Sequence, residues 1–276
     1  MSESRRVALV TGSTDGIGKE TALGLGRGGA RVIVHGRSRP RVEAALAELR
    51  AQAPDAVFDG VSFDLGSLDA VRRGVAQLRE LVDRLDVLVC NAGIFANERV
   101  VTADEVELTL AVNHVSHFLL HALCEPLFAN AAVHGAPPRV IVVSSVAHTR
   151  GRIHLDDLTL ARGYTGYAAY AQSKLANVMF ALSIAERFEP AQRLAWSLHP
   201  GVIATKLLRQ GFGPVPGAPP EQGASLQLHL ALSAEPIAPS GSYFSEGMLT
   251  APAPAALDAA TRSALWGATA QLARLT

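Results

Sequence analysis

Hydrophobic and polar positions along the chain follow two alternating periodicities. Short apolar, β-branched runs occur at Val7–Val10, Val32–Val34, Val57–Phe63, Val87–Cys90, Val140–Val143, Ala195–Leu198 and Tyr243–Phe244. Between them Pro40–Ala51, Leu68–Arg84, Ala103–Phe128 and Tyr170–Phe188 carry apolar residues at helical spacing. Runs such as Val87-Leu88-Val89 and Val140-Ile141-Val142-Val143 have no polar residue at alternate positions, as a strand covered on both faces requires. The pattern predicts an α/β fold: a doubly wound (Rossmann) parallel sheet of about seven strands with helices on both faces and a ligand at the carboxyl ends of the strands. One segment breaks it. Leu207–Pro220 crowds Gly211, Gly213, Pro214, Pro216, Gly217, Pro219 and Pro220 together, which predicts a loop and a substrate lid over 207–220.

Composition narrows the function classes. With 276 residues, 49% hydrophobic and 18% charged, the chain can bury a sizeable core, and a single domain over residues 1–276 is expected. Twenty-five basic residues balance 25 acidic ones, so no global field favours nucleic acid or an anionic membrane. Cys90 and Cys124 stand in no metal-ligand or redox spacing, and no metal is expected. The polar segment Met1–Arg6 runs straight into the first strand, and no apolar run is long enough to span a bilayer; the expectation is a cytoplasmic protein.

The first strand leads into Thr11-Gly12-Ser13-Thr14-Asp15-Gly16-Ile17-Gly18 and then a helix-compatible run. A glycine turn between strand and helix lets backbone N–H groups approach a pyrophosphate, and the helix N-terminus adds partial positive charge. Gly12, Ser13, Thr14, Gly16, Ile17 and Gly18 are therefore candidate dinucleotide contacts, although the GxxxGxG spacing also suits a purely structural turn. The second strand ends at Gly36-Arg37-Ser38-Arg39 with no carboxylate. An acidic residue there would hold a ribose diol; Arg37 suits a 2′-phosphate instead, which points to NADP(H).

Tyr170 and Lys174 are spaced to share one helix face. An ammonium beside a phenol favours the phenolate, so the pair predicts a tyrosine whose pKa falls from about 10 towards neutrality and which serves as general acid or base.

Taken together, the Thr11–Gly18 turn, Asp64-Leu65, Asn91-Ala92-Gly93, Asn113, Ser144-Ser145, Tyr170 with Lys174, and His199-Pro200-Gly201 with Thr205 resemble the short-chain dehydrogenases/reductases over about Val7 to Phe244. Val112-Asn113-His114, Ser144-Ser145-Val146-Ala147-His148 and Ser173-Lys174-Leu175-Ala176-Asn177 look like the subgroup that contains retinol dehydrogenases. The resemblance implies a catalytic set of Asn113, Ser145, Tyr170 and Lys174. Ser145 would hydrogen-bond the substrate oxygen, Tyr170 would exchange its proton, Lys174 would bind the nicotinamide ribose, and Asn113 would position a water. It further implies cofactor contacts from Asp64, Leu65, Asn91, Ala92, Gly93, Pro200, Gly201 and Thr205, and a homo-oligomer. The segment from Ser145 to Tyr170 is longer than in short family members, and retinoids are not implied as substrate.

His114, His117, His121, His148 and His154 invite a metal reading, the first three lying at helical spacing, but are read as helix-face or pocket-lining residues. The expected activity is hydride exchange between NADP(H) and a small carbonyl or alcohol. A non-redox cyclase or isomerase on the same scaffold, or a non-catalytic NADP-binding regulator, are the alternatives.

Overall fold

The computed structural model describes residues 5–133 and 136–275; most of the polar segment before the first strand lies outside the described residues. The chain begins with β1 (Val7–Val10), α1 (Gly16–Arg27), β2 (Arg31–Gly36), α2 (Arg39–Gln52), β3 (Val57–Ser62), α3 (Leu68–Leu81) and β4 (Val87–Cys90). A single turn α4 (Leu108–Leu110) runs into a π-helical stretch (Ala111–Val115), followed by α5 (Ser116–Leu123), α6 (Glu125–Ala132) and β5 (Arg139–Val143). A 3₁₀ turn (Val146–Arg150), α7 (Gly166–Arg187), β6 (Leu194–His199), α8 (Lys206–Phe212) and α9 (Pro220–Leu232) come next. The chain closes with β7 (Tyr243–Ser245), β8 (Met248–Thr250), α10 (Pro254–Leu257) and α11 (Ala259–Leu272).

The strands form one sheet of order β3-β2-β1-β4-β5-β6-β7-β8, parallel throughout except for β7 with β8. The order reverses beside β1, so the chains leaving β1 and β4 turn to opposite faces of the sheet and leave the crevice where doubly wound sheets bind ligands. Successive residues of each strand feed opposite cores. Leu9, Leu88 and Val142 pack with α3, α5 and α7, whereas Val10, Val89 and Ile141 pack with α1, α2 and α9. This double burial explains strands without polar alternation.

Three features differ from the sequence expectation. The sheet has an eighth strand, because Glu246 (φ 50°) and Gly247 (φ 85°) make a two-residue turn with both central residues left-handed, the geometry that folds β8 back on β7. Glu-Gly lacks the asparagine or aspartate that signals such turns. The run Ala103–Phe128 is not one helix. Both carboxylate oxygens of buried Glu107 accept from Thr109 and Leu110 N–H groups at 2.8 Å and start α4, the π-helical stretch follows, and α6 restarts after Cys124 with a proline in its first turn. Finally, Leu207–Pro220 is only partly loop. Thr205 caps α8 through a bond from Leu208 N at 3.2 Å, Gly213 at φ 78° ends it, and Pro220 opens α9.

Helix α1 meets the sheet closely at Gly18, where a Cβ would overlap both the Gly12 carbonyl oxygen and the Asn91 amide. Because backbone cannot yield as a flexible side chain does, Gly18→Ala is expected to lower stability by about 1–3 kcal/mol. Urea unfolding checks this, and an unchanged midpoint would show that the turn tolerates a methyl group.

Candidate active site

The site is built on the turn after β1. Gly12, at φ 66°, donates its N–H to His35 Nδ1 at 3.1 Å. Since Nδ1 accepts, Nε2 carries the ring hydrogen and donates to the Phe63 carbonyl at 3.0 Å. His35 is 2% exposed, rests on the Phe63 ring with centroids 4.1 Å apart, and burial pushes its pKa down to about 4, so it is a neutral peg. Ser13 is buried as well: its hydroxyl donates to Val10 O at 2.7 Å and accepts from His35 N at 2.9 Å, and its own N–H goes to His35 O. Nothing in the sequence pattern singled out His35; a buried polar residue at a strand end, opposite a glycine turn, was the available signal.

Gly16, at φ 54°, opens the twelve-residue α1 behind Asp15, whose Oδ1 accepts from Gly16 N at 2.9 Å. Thr14 packs at Gly36, and Ile17 reaches Gly223 of α9. The left-handed glycines and the helix N-terminus form a cradle without side chains on its floor, which fits the pyrophosphate of a dinucleotide. The Asp15 carboxylate beside it is held below its ordinary pKa chiefly by Lys206, whose Nζ lies 2.5 Å from Oδ2.

At the other end of the crevice, Arg37 stands exposed and makes no ion pair among the described residues, whereas Arg39 is paired with Glu43 at 2.6 Å. Asp64, also exposed, accepts from Gly66 N at 2.8 Å, and Leu65 is buried. Asn91 donates its amide to Thr11 O at 2.9 Å, and Ala92 lies against Gly12. Gly93 lies beside both groups: a Cβ there would be 3.4 Å from Lys174 Nζ and 3.5 Å from Asn113 Oδ1, ordinary contact distances. Pro200 is half-buried, Gly201 has φ 96°, and the Thr205 methyl faces Gly16. His199, before Pro200, keeps a buried Nδ1 without a partner among the described residues.

Thr165 caps α7 through Ala168 N at 3.1 Å, so Tyr170 and Lys174 lie inside the helix instead of opening it. Lys174 Nζ donates to Val143 O at 3.0 Å and stands 5.5 Å from the centre of the Tyr170 ring. Contrary to the sequence expectation, burial dominates both groups. It pushes the Tyr170 phenol up to about 12, with the adjacent Ser145 hydroxyl pulling the other way, and pushes Lys174 down to about 8. Ser145 ends the loop after β5 and caps the 3₁₀ turn, its Oγ accepting from Ala147 N at 3.2 Å. That leaves its hydroxyl hydrogen free to donate elsewhere.

Asn113 occupies the π-helical stretch. Its Oδ1 accepts from Ile94 N at 2.8 Å, and its Nδ2 donates to Ile94 O at 3.1 Å and to Ser173 Oγ at 2.9 Å, tying the loop after β4 to α7. Over Tyr170 lies an aromatic wall that the sequence did not reveal. Phe95 and Phe212 of α8 stand 5.3 and 5.9 Å from the Tyr170 ring and 5.5 Å from each other.

The helix histidines point inward, each to protein partners. His117 Nδ1 meets Asn113 O at 3.0 Å and Nε2 meets Thr11 Oγ1 at 2.8 Å, His114 contacts Asn177 and Thr269, and His121 contacts Arg193. All are buried and burial holds all below the ordinary histidine pKa.

A lysine whose folded pKa lies below its unfolded value costs stability wherever both states are protonated. That penalty is full below about pH 8 and fades as pH rises towards 10.5. Lys174→Met is therefore expected to be more stable than the parent at pH 7 by about 2 kcal/mol, the relief of desolvation less one hydrogen bond, with the gain shrinking towards pH 10. Urea unfolding at both pH values is the check; a variant that loses stability at pH 7 would show that the Val143 contact outweighs burial.

Residues 6–212 match the family model described as short chain dehydrogenase. The chain is 36% identical to human retinol dehydrogenase 13, over 98% of this chain and 85% of that protein. It is 39% identical to bovine dehydrogenase/reductase SDR family member 13, over 98% and 74%. An uncharacterised protein of Mycobacterium paratuberculosis superposes with TM-score 0.79 at 30% identity, over 99% of this chain and 95% of that one. The Pseudomonas aeruginosa RhlG/NADP active-site complex superposes with TM-score 0.71 at 27% identity, over 87% and 94%. A doubly wound sheet with a glycine cradle, and a tyrosine–lysine helix beside it, thus coincide with a match across most of the sequence: the chain belongs to the short-chain dehydrogenase family of oxidoreductases.

Proposed function

We propose that the protein interconverts a small carbonyl compound and its alcohol with NADP(H), using Ser145, Tyr170, Lys174 and Asn113. The observation that carries this reading is the placement of Tyr170 and Lys174 on one face of α7, with Ser145 beside the phenol at the end of β5 and the glycine cradle at the same, carboxyl edge of the sheet after β1. A bound nicotinamide supplies or accepts the hydride.

The chain's own residues handle the oxygen. Ser145 Oγ accepts from Ala147 N, which leaves its hydrogen to be shared between the adjacent phenol and a substrate oxygen, where it would stabilise developing negative charge. Tyr170, its pKa pushed up to about 12 by burial, holds its proton at neutral pH and is ready to give it to that oxygen. Lys174 spends one donor on Val143 O and keeps the others for a ribose and for the phenol, lowering the cost of phenolate when the reaction runs in reverse. Asn113 holds the Ile94 strap and Ser173 so that Lys174 keeps its place. Phe95, Phe212 and half-exposed Tyr167 give the substrate an apolar entrance, with α8 as the part of 207–220 that covers it.

The NADP preference is supported by Arg37 at the end of β2, which makes no ion pair among the described residues, by the lack of an acidic residue in Gly36–Arg39, and by the RhlG/NADP complex among similar structures.

Tyr170→Phe is expected to lower turnover by about a hundredfold or more while NADPH affinity stays within about twofold, since only the proton-transfer group is lost. Activity on a panel of aldehydes, followed by NADPH absorbance, and a binding titration provide the measurement. Near-parental turnover would remove Tyr170 from its role.

Arg37→Ala should weaken NADPH binding about tenfold and leave NADH binding unchanged, as expected for one charge-assisted contact to the 2′-phosphate. Dissociation constants at one fixed ionic strength decide it. Equal effects on both cofactors would make Arg37 a solvated surface charge.

A further inference from the structure

His148 is a buried residue that the mechanism above leaves unused. It lies in the 3₁₀ turn after Ser145 and is 1% exposed. Its ring is committed on both edges. Nδ1 lies 2.8 Å from the Ser145 carbonyl oxygen, which also accepts from the His148 main-chain N–H at 3.0 Å. A carbonyl only accepts, so Nδ1 carries the hydrogen. Nε2 is then an acceptor and takes the N–H of Ala253 at 3.1 Å. The ring also packs against Tyr243 of β7, centroids 4.7 Å apart.

Those contacts join distant pieces of chain. Ala253 follows β8, and its carbonyl accepts from Ala256 N at 2.8 Å, which starts α10. Arg262 of α11 donates to Ala256 O at 3.0 Å and pairs with Glu186 of α7, so the segment is anchored to the helix that carries Tyr170. All of it lies beyond residue 212, where the family match ends.

We propose that His148 is a positioning residue that fixes Ser145 by clamping its carbonyl to the segment after β8. The inference rests on the reading of Ser145 as donor to the substrate oxygen. Ser145 is extended, φ −160° and ψ 156°, and its Oγ is oriented by Ala147 N. A shift of its carbonyl turns the whole residue and swings the hydroxyl away from the oxygen it serves. The segment after β8 thereby belongs to the catalytic apparatus, although it brings no group to the substrate. A histidine suits the post because one rigid ring offers a donor and an acceptor on opposite edges, which no aliphatic residue of that volume can do.

The test is a double-mutant cycle on the full-length protein, assayed with NADPH and whichever aldehyde of an aliphatic and aromatic panel is reduced fastest. Ser145→Ala is expected to lower kcat by about a hundredfold. His148→Leu is expected to lower kcat about tenfold or more, with the dissociation constant for NADPH unchanged, because a small misplacement of one group suffices. Asn at 148 places an amide N–H where Nδ1 stood, so His148→Asn should recover part of kcat and keeps the proposal testable if the leucine variant folds poorly. In the Ser145→Ala background, His148→Leu should cost nothing further, since it acts only through Ser145. Equal proportional losses in both backgrounds, or parental kcat in folded His148→Leu, would overturn the proposal. Parental kcat in Ser145→Ala would instead overturn the reading of Ser145 itself, and the two failures are distinguishable.

Discussion

The hydroxyl of Thr11, wholly buried at the carboxyl end of β1, holds the crevice together. Its oxygen accepts the N–H groups of Asn91 at 2.9 Å and Ala92 at 3.0 Å, so the chain leaving β4 is pinned where the sheet opens. Its hydrogen goes to His117 Nε2 at 2.8 Å. That direction follows because His117 Nδ1 must donate to the Asn113 carbonyl, leaving Nε2 as the acceptor. One side chain thus joins the glycine turn, the loop carrying Gly93 and the π-helical stretch carrying Asn113. A parallel sheet leaves the N–H and C=O groups at its strand ends without ladder partners, and burying them unpaired would cost about 1–3 kcal/mol each. Thr11 satisfies several at once, and the groups that surround the active site are positioned as a result.

The histidines extend the same logic. His35, His117 and His148 each bridge two backbone or hydroxyl partners with one donor and one acceptor nitrogen. Burial keeps them neutral, and neutrality is what preserves the acceptor. These rings work as two-ended pegs at places where loops cross strand ends. Their polarity is spent inside the protein and fixes backbone, not substrate.

The sequence made the sheet legible because the doubly covered strands write themselves as unbroken apolar runs. The turn from Thr11 to Gly18 was legible for another reason: left-handed backbone at Gly12 and Gly16, and the absence of room at Gly18, leave glycine as the residue that fits. What escaped was set by contacts between distant segments. Glu107 starts α4 part-way along the predicted run by turning its carboxylate onto the N–H groups of Thr109 and Leu110, and no periodicity records that choice. The glycines and prolines of Leu207–Pro220 concealed a helix that starts at Lys206, because local breakers at its end dominated the reading. His35 looked like an ordinary polar residue, and His148 like a helix-face or pocket-lining one, until their partners, Gly12 and Ala253, were brought beside them. The Tyr170–Lys174 spacing was read correctly as a shared face, yet its electrostatic consequence depends on how deeply both are buried.

That burial sets the energetics of the site. In water the ammonium and the phenol would exchange influence cheaply; here each is deprived of solvent, and the charged form of each is disfavoured. Lys174 has three donors, of which Val143 O takes one, while the Asn113 amide is already spent on Ile94 and Ser173. Among the described residues the fold therefore leaves donor capacity at Lys174. A ribose hydroxyl beside Nζ would satisfy it, relieve the desolvation of the ammonium and raise its charged population. A charged lysine within 5.5 Å of the ring would in turn make phenolate less costly. On this account the acidity that the sequence spacing suggested is not a property of the pair alone. On the proposed reading it would be completed when cofactor binds, coupling acid–base competence to cofactor occupancy through the same buried amine.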